Sequence, residues 1–247
     1  MPQYSDDLFL GTALTNMGMS LGNPSPMSQG VGPLGRIYVW DVVPATKQTN
    51  NISVAATYAG AGTAVLAAGT GTTAVTTAAG VAAIQLDCPR AVSITIGTGT
   101  IADTAITVTG LDVYGQAMTD VIQTGTVQST TVNGEKAFFQ VTGVAVAGAV
   151  GGTVAIGTTD ILGSPVRITD AGYIARSGWN GALADDAGTF VAAVTTTATT
   201  TSGDVRGTYV PSSAPNGTRR LVMGILVPAI AAGPNATRVG ALGVTQA

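Results

Sequence analysis

The side chains in this sequence that could carry acid–base chemistry are its carboxylates, twelve aspartates and one glutamate, Glu135. Two carboxyl groups on facing loops can hydrolyse a glycosidic bond. Adjacent carboxylates occur at Asp6–Asp7 and at Asp185–Asp186. Neither pair has the regular ligand spacing of a calcium loop, and adjacent aspartates near glycine are typical of solvated turns. A carbohydrate-active enzyme that uses aspartates is therefore the least favoured hypothesis.

Histidine is absent, and cysteine occurs once, as Cys88. The Ser-His-Asp and Cys-His nucleophile systems and the histidine-containing metal sites are therefore excluded. One cysteine also excludes an intramolecular disulfide and a thiolate zinc or iron–sulfur site within one chain. Because its neighbours Asp87 and Pro89 would not activate its thiol, Cys88 is predicted to be a small buried hydrophobic residue. We expect no enzyme activity, no catalytic residue, no metal and no cofactor.

Two glycine-rich stretches match the relaxed dinucleotide-binding pattern, Gly69-x-Gly71-x-x-Ala74 and Gly97-x-Gly99-x-x-Ala102. That pattern binds pyrophosphate when it opens a helix. The second match is followed by the strand-like segment 104–109, and the first lies in a low-complexity stretch. With 34 glycines in the chain, both are interpreted as chance matches.

The composition combines high hydrophobicity with little charge. Hydrophobic residues make up 45% and charged residues 9%, whereas about 25% charge is typical. No charged residue occurs in 48–86 or in 137–159. The chain should fold, and because neutral surfaces tend to associate, it is predicted to function in an assembly. The alternative is a robust monomer with a hydroxyl-rich surface.

Charge and hydropathy also argue against nucleic-acid and membrane partners. The net charge of −3 and scattered basic residues give no positive field for nucleic acid. The uncharged run 137–159 is long enough for a membrane span, but its glycines, threonines and Gln140 favour two strands around Gly151–Gly152. The first residues lack a basic region, so a signal peptide is not expected.

Alternating hydrophobicity predicts strands. Val92, Ile94 and Ile96 fall on one face of a segment, and Ile106 and Val108 repeat the pattern. Turn signals recur about every 8–12 residues, as in a sandwich or barrel. Strands are predicted at 36–43, 91–96, 104–109, 118–122, 137–146, 153–156, 166–169 and 221–227, short strands with glycine turns over 45–86, a hairpin turn at Asn133–Gly134 and an irregular loop over 172–186.

The predicted fold class is all-β, an antiparallel β-sandwich or jelly-roll-like fold with an extended N-terminal arm. Residues 1–36 form the arm, because glycines and prolines interrupt any period there. Residues 37–169 form the β-sandwich domain, and 170–247 form a C-terminal β region that is separate or completes the same domain. The arm either binds a neighbouring subunit or wraps on its own domain. Its candidate interface residues are Met17, Met19, Pro24, Pro26, Met27, Pro33 and Leu34.

Several segments resemble uncharacterised virion structural proteins of tailed bacteriophages. They are 22–28 (GNPSPMS), 32–39 (GPLGRIYV), 108–119 (VTGLDVYGQAMT) with 136–139 (KAFF), and 203–209 (GDVRGTY). The resemblance covers a minor part of the chain and implies no catalytic residues. It implies a β-rich capsid decoration or cement protein that oligomerises on the lattice and clasps capsid subunits with an arm.

The leading hypothesis is thus a homotrimeric decoration protein on the capsid exterior, made in the host bacterial cytoplasm, whose arm contacts the major capsid protein. The alternative is a head fibre, tail or baseplate component that binds host glycans. Tyr173, Trp179 and Tyr209 are candidate glycan-binding residues, although aromatic side chains also anchor β cores.

Overall fold

The computed structural model describes residues 7–8, 35–168, 170–182, 184–194 and 203–228. Apart from one 3₁₀ turn at Ala171–Tyr173, the regular secondary structure of these residues is β-strand, which confirms the predicted all-β class. The strands are β1 (Asp7–Leu8), β2 (Gly35–Val42), β3 (Ser53–Thr57), β4 (Gly62–Thr63), β5 (Thr72–Thr76), β6 (Ala82–Ile96), β7 (Ala105–Leu111), β8 (Ala117–Gln123), β9 (Thr130–Val146), β10 (Thr153–Gly163), β11 (Ile174–Trp179), β12 (Thr189–Val191), β13 (Thr208–Val210) and β14 (Leu221–Pro228).

A large antiparallel sheet contains ten of these strands. Its main order is β12-β13-β10-β6-β9-β7-β8, and β3, β4 and β5 pair with β10, β9 and β6 respectively. The ladder between β6 and β9 shifts register between Gln85 and Arg90, and that between β10 and β6 shifts between Thr158 and Leu162. Because such irregularities bend a strand and increase its twist, the long strands curl and the sheet forms a half-barrel.

The largest buried cluster packs on the alternating residues of the half-barrel strands, and we name it the aliphatic core. Val92, Ile94 and Ile96 are at most 1% exposed, as their alternation predicts, and Ile106 and Val108 are fully buried. The aliphatic core consists of Ile52, Ala64, Ile84, Leu86, Val92, Ile94, Ile96, Ile101, Ile106, Val108, Met118, Ile122, Phe138, Val141, Val144, Val146, Val150, Val154 and Ile156.

A small antiparallel sheet in the order β1-β2-β14-β11 packs beside the ends of β10 and β13. Strand β14 pairs with β2 along its whole length, from Leu221↔Val42 to Pro228↔Gly35. The cluster between the sheets is named the aromatic core. It consists of Trp40, Cys88, Leu162, Val166, Ile168, Tyr209, Leu221, Met223 and Ile225, with Tyr38, Val42, Tyr173, Ile174, Trp179 and Phe190 packed at its margin.

The predicted hairpin turn at Asn133–Gly134 is wrong. Strand β9 runs through both residues, and Asn133 pairs with Ser93 of β6. A Cβ atom at position 134 would stand 2.3 Å from Oδ2 of Asp120. The glycine is therefore needed for the close approach of a carboxylate and not for a turn.

Two other segments also differ from the prediction. The loop predicted over 172–186 contains β11, which pairs with β14. Ser177 and Gly178 give this strand little intrinsic preference for β structure, so pairing with β14 determines it. Conversely, no strand forms over the described part of 166–169, where Val166 and Ile168 are buried in the aromatic core. Their hydrophobicity serves packing and not strand pairing.

The uncharged run 137–159 forms the end of β9 and the start of β10, on either side of Gly151–Gly152, as predicted. The C-terminal strands divide between the sheets: β12 and β13 join the large sheet, and β11 and β14 join the small one. The domain boundaries remain predictions. None of the helical structure in the described ranges has the length and hydrophobicity to cross a membrane.

Candidate functional site

A buried pair of opposite charges joins the turn after β7 to the segment before β13. Arg206 Nη2 donates to Asp112 Oδ2 at 2.5 Å, and both side chains are at most 3% exposed. The Arg206 guanidinium also lies 4.9 Å from the centre of the Tyr114 ring. Nearby, Asp204 accepts hydrogen bonds from the backbone N–H groups of Arg206 and Ala137, at 2.8 and 3.0 Å. These contacts fix the segment before β13 on the half-barrel.

A second cluster of buried charged residues surrounds Asp120, where β8 passes the first half of β9. Oδ2 of Asp120 accepts the backbone N–H groups of Glu135 and Lys136, at 3.0 and 3.3 Å. The Lys136 side chain is fully buried and interacts electrostatically with Asp120 and Asp204. Burial raises the pKa of Asp120 and lowers the pKa of Lys136, and in each case it outweighs the opposing hydrogen bonds or charges. The carboxylate satisfies backbone donors that would otherwise be buried without partners.

Arg90 is fully buried beside a register shift of β6 and is surrounded by acceptors. Its Nε donates to the Thr159 carbonyl at 2.9 Å, and Nη1 and Nη2 each donate to the Ala45 carbonyl at 3.1 Å. Nη1 also lies 3.1 Å from Asp87 Oδ1, and Nη2 lies 3.9 Å from Asp160 Oδ1. Because a guanidinium offers five donors in a fixed geometry, Arg90 ties β6, β10 and the segment after β2 together.

A polar groove of about 550 Å³ opens beside the Arg90 cluster. Lys47 Nζ and Asp160 Oδ2 form an ion pair of 2.8 Å among its lining residues. Hydroxyl and amide side chains make up most of the rest. The lining residues are Lys47, Gln48, Thr49, Ser93, Thr131, Asn133, Thr158, Thr159, Asp160, Ile161 and Val210.

The adjacent pair Asp185–Asp186, predicted to lie in a solvated turn, has two different environments. Asp185 is exposed and forms an ion pair with Arg176 at 3.5 Å. Asp186 accepts the hydroxyl of Tyr209 at 2.6 Å, the hydroxyl of Ser212 at 2.5 Å and the indole N–H of Trp179 at 3.1 Å.

The pKa of Asp186 lies below its usual value of 3.8. Burial acts in the opposite direction, but the hydrogen bonds from Ser212, Tyr209 and Trp179 outweigh it. Burial and the Asp186 carboxylate raise the pKa of Tyr209 to about 12. Asp186 therefore serves as an acceptor that ties β11, β13 and the segment after β13 together.

The three aromatic candidates for glycan binding belong to the aromatic core or its margin. Tyr209 is 3% exposed. The Trp179 ring lies 4.5 Å from the Arg219 guanidinium and packs against the core. Tyr173 is half-buried against the same cluster. This placement favours the packing explanation of these aromatic residues.

Aliphatic side chains are also exposed on the described surface. Val39 and Val43 of the β2 region are 56% and 49% exposed. Within the described ranges, residues 37–42 of β2 pair with β14 on one side and with no strand on the other. The large hydrophobic residues that are exposed include Val39, Val43, Val54, Val65, Val81, Tyr114, Val127 and Val191. A hydrophobic strand with a free edge is a surface suited to association.

The interface residues predicted in the arm lie outside the residues that the structure describes. They are Met17, Met19, Pro24, Pro26, Met27, Pro33 and Leu34. Their role remains a prediction.

Cys88 lies in the aromatic core and is 3% exposed, as predicted for a small hydrophobic residue. Burial raises the pKa of its thiol, which opposes formation of the reactive thiolate. The part of the chain described by the structure contains no cluster of three or more side chains suited to hold a metal ion. Comparison with protein-family models, with curated proteins and with solved structures gives no significant match.

Sequence reasoning missed the buried charges, although one signal could have found Asp120. Met118, Asp120 and Ile122 alternate along β8, and all three are buried. A carboxylate at an inward position of a strand must find donors nearby. Apart from Asp87, three residues before Arg90, the partners of Arg90 and Arg206 named above carried no such signal, because they are backbone carbonyls or residues distant in the sequence.

Proposed function

We propose that this chain is a structural subunit of a tailed-bacteriophage particle, a decoration or cement protein that binds the capsid shell. The proposal is carried by the low charge of its surface. The chain has 10 basic and 13 acidic residues, and folding removes further charge from the surface. The buried charged residues include Arg90, Asp112, Asp120, Lys136, Asp204 and Arg206.

A surface with so little charge favours association over separation in solution. The exposed Val39 and Val43, beside the edge of β2 that pairs with no described strand over 37–42, support the same conclusion. Burial of apolar surface in an interface would contribute about 25 cal/mol for each Å². The resemblance of several segments to phage structural proteins is the reason why the phage capsid is proposed as the assembly. The proposed partners are the major capsid protein and further copies of this chain, in a homotrimer on the capsid exterior.

In this proposal the arm, residues 1–36, contacts the capsid shell through its methionines and prolines. A variant that lacks residues 1–30 should fold and yet fail to bind. Binding is measured by incubating the purified chain with phage particles stripped of it and counting bound copies by quantitative gel densitometry.

The folding control is the far-ultraviolet circular dichroism spectrum and the thermal midpoint of the truncated chain. A truncated chain with normal folding and unchanged occupancy on the particles would overturn the role of the arm. Failure of the intact chain to bind particles would overturn the decoration function itself.

A further inference from the structure

We propose that the polar groove beside Arg90 binds a neutral saccharide. This inference does not rest on the capsid role, because a subunit of any assembly could carry such a site. The groove, at about 550 Å³, lies within the range of ligand sites, about 300–1,000 Å³. It has room for a short oligosaccharide.

The charges around the groove select against an ionic ligand. Lys47 faces Asp160 at 2.8 Å, and behind them Arg90 faces Asp87 at 3.1 Å. Two positive and two negative charges therefore cancel locally. A free anion or cation would meet an opposite charge that is already paired, together with a like charge close by.

The remaining polar groups require a ligand that both donates and accepts hydrogen bonds at closely spaced positions. Ser93 and Thr131 present hydroxyl groups and Asn133 presents an amide, each of which can donate and accept. Ser93 is 3% exposed, and the Thr131 hydroxyl is paired with the Thr95 hydroxyl at 3.0 Å. Vicinal hydroxyl groups of a sugar supply this alternation of donor and acceptor.

Asp160 adds spare acceptor capacity. Its Oδ1 is buried and lies 3.9 Å from Arg90 Nη2, whereas its Oδ2 is held by Lys47. A carboxylate oxygen can accept about two hydrogen bonds, so Oδ2 of this 13% exposed side chain can accept a ligand hydroxyl beside Lys47. Ile161 and Val210 offer the aliphatic contact that the C–H face of a sugar ring needs.

The lining is rigid, as a binding site requires. The Thr159 hydroxyl donates to the Ala91 carbonyl at 2.9 Å. The Thr158 hydroxyl oxygen accepts the Asn51 side-chain amide at 3.1 Å and the Gln48 backbone N–H at 3.3 Å. The segment 48–49 lies so close to β10 that a Cβ at Gly157 would stand 1.9 Å from the Gln48 carbonyl oxygen.

The test is a titration of the ¹⁵N-labelled full chain with maltotriose, cellotriose and chitotriose, with glucuronic acid and glucosamine as charged probes. At least one neutral probe should shift the amide signals of Ser93, Thr131 and Asn133, and the charged probes should shift them less at equal concentration. Absence of shifts with all three neutral probes, or stronger binding of a charged probe, would overturn the proposal.

Variants separate the groove from the rest of the surface. Ser93→Ala and Asn133→Ala should each weaken binding of the responsive saccharide about three- to tenfold, the loss expected for one hydrogen bond. Thr142→Ala, on the same strand as Asn133 and outside the groove, is the matched control and should bind as the wild type does. Wild-type affinity in both groove variants would place the saccharide elsewhere and contradict the inference.

Discussion

The aliphatic core and the aromatic core are stabilised by different kinds of interaction. The aliphatic core is enclosed by the longest strands, β6, β9 and β10, which have 15, 17 and 11 residues. Its members are almost all β-branched or other aliphatic residues at alternating positions. The aromatic core adjoins the short strands β12 and β13, of three residues each. There, Asp186 accepts hydrogen bonds from a backbone N–H, from two hydroxyl groups and from an indole N–H.

The difference indicates that strand length affects which interactions a β-sheet needs besides the hydrogen bonds of its own ladder. The long strands satisfy most of their backbone groups in the ladder, and where β9 shifts register Asp120 and Asp204 accept the N–H groups of residues 135–137. Beyond the end of the short strand β13, Asp186 accepts the backbone N–H of Ser212 as well as hydroxyl and indole donors. We therefore expect the aliphatic core to respond to loss of volume and the aromatic core to loss of a single acceptor.

The largest effect should follow from a cavity in the aliphatic core. Phe138 is fully buried, and Phe138→Ala should lower the free energy of unfolding by about 3–5 kcal/mol. Urea denaturation followed by circular dichroism measures the change. A loss below about 1 kcal/mol would mean that the half-barrel collapses around the cavity and is not tightly packed.

The next effect should follow from removal of an acceptor beside the aromatic core. Asp186→Ala leaves the Tyr209 hydroxyl and the Trp179 indole N–H without their shared partner. We expect a loss of about 1–2 kcal/mol in the free energy of unfolding, reduced by access of water to this half-buried carboxylate. Asp185→Ala, one residue away and exposed, is the matched control and should change stability by less than about 0.5 kcal/mol. Equal losses in both variants would contradict the assigned role of Asp186.

The Asp186 carboxylate should also make the free energy of unfolding depend on pH. The folded-state pKa of Asp186 lies below 3.8, its ordinary value. Its contribution is therefore fully present above pH 3.8 and is lost as the pH falls through the lower, folded-state pKa. The gap in unfolding free energy between wild type and Asp186→Asn should stay constant from about pH 7 to 5 and narrow below pH 3.8. Urea unfolding at stepped pH measures it, and a gap that widens on acidification would contradict the sign of the shift.

The smallest effect should come from the exposed ion pair on the small sheet. Arg220 donates to both carboxylate oxygens of Asp41, which lowers the pKa of Asp41 through these hydrogen bonds. The Arg220 side chain is 60% exposed, and exposed pairs contribute little because solvent and salt screen them. Arg220→Gln should leave the thermal midpoint unchanged within error at 0.15 M salt. A clear decrease would show that the aromatic core depends on the opposite face of β2.

The sequence predicted the aliphatic core better than the aromatic one, for a physical reason. The alternation of Val92, Ile94 and Ile96 is a local pattern, and it correctly predicts which face of the strand is buried. Strand β11 could not be predicted, because pairing with β14, more than 40 residues later, determines it. The turn assigned to Gly134 failed because a glycine cue does not show whether φ or close approach requires it.

The candidate sites were less predictable still. Ser93 and Asn133 lie 40 residues apart in the sequence, and the groove brings them together through the ladder between β6 and β9. The register of that ladder depends on shifts that no local pattern indicates. Asp185 and Asp186 are adjacent residues of the same type, and only their contacts in the fold distinguish their roles.

Counting the copies of this chain in purified particles of the phage that is proposed to encode it tests the central claim most directly. Quantitative mass spectrometry against the major capsid protein gives the ratio. A decoration protein should be present in a fixed ratio set by the capsid lattice, with hundreds of copies on a capsid of hundreds of subunits. A handful of copies would indicate a tail or fibre component, and absence from the particle would contradict the proposal that this charge-poor β protein is built into a virion.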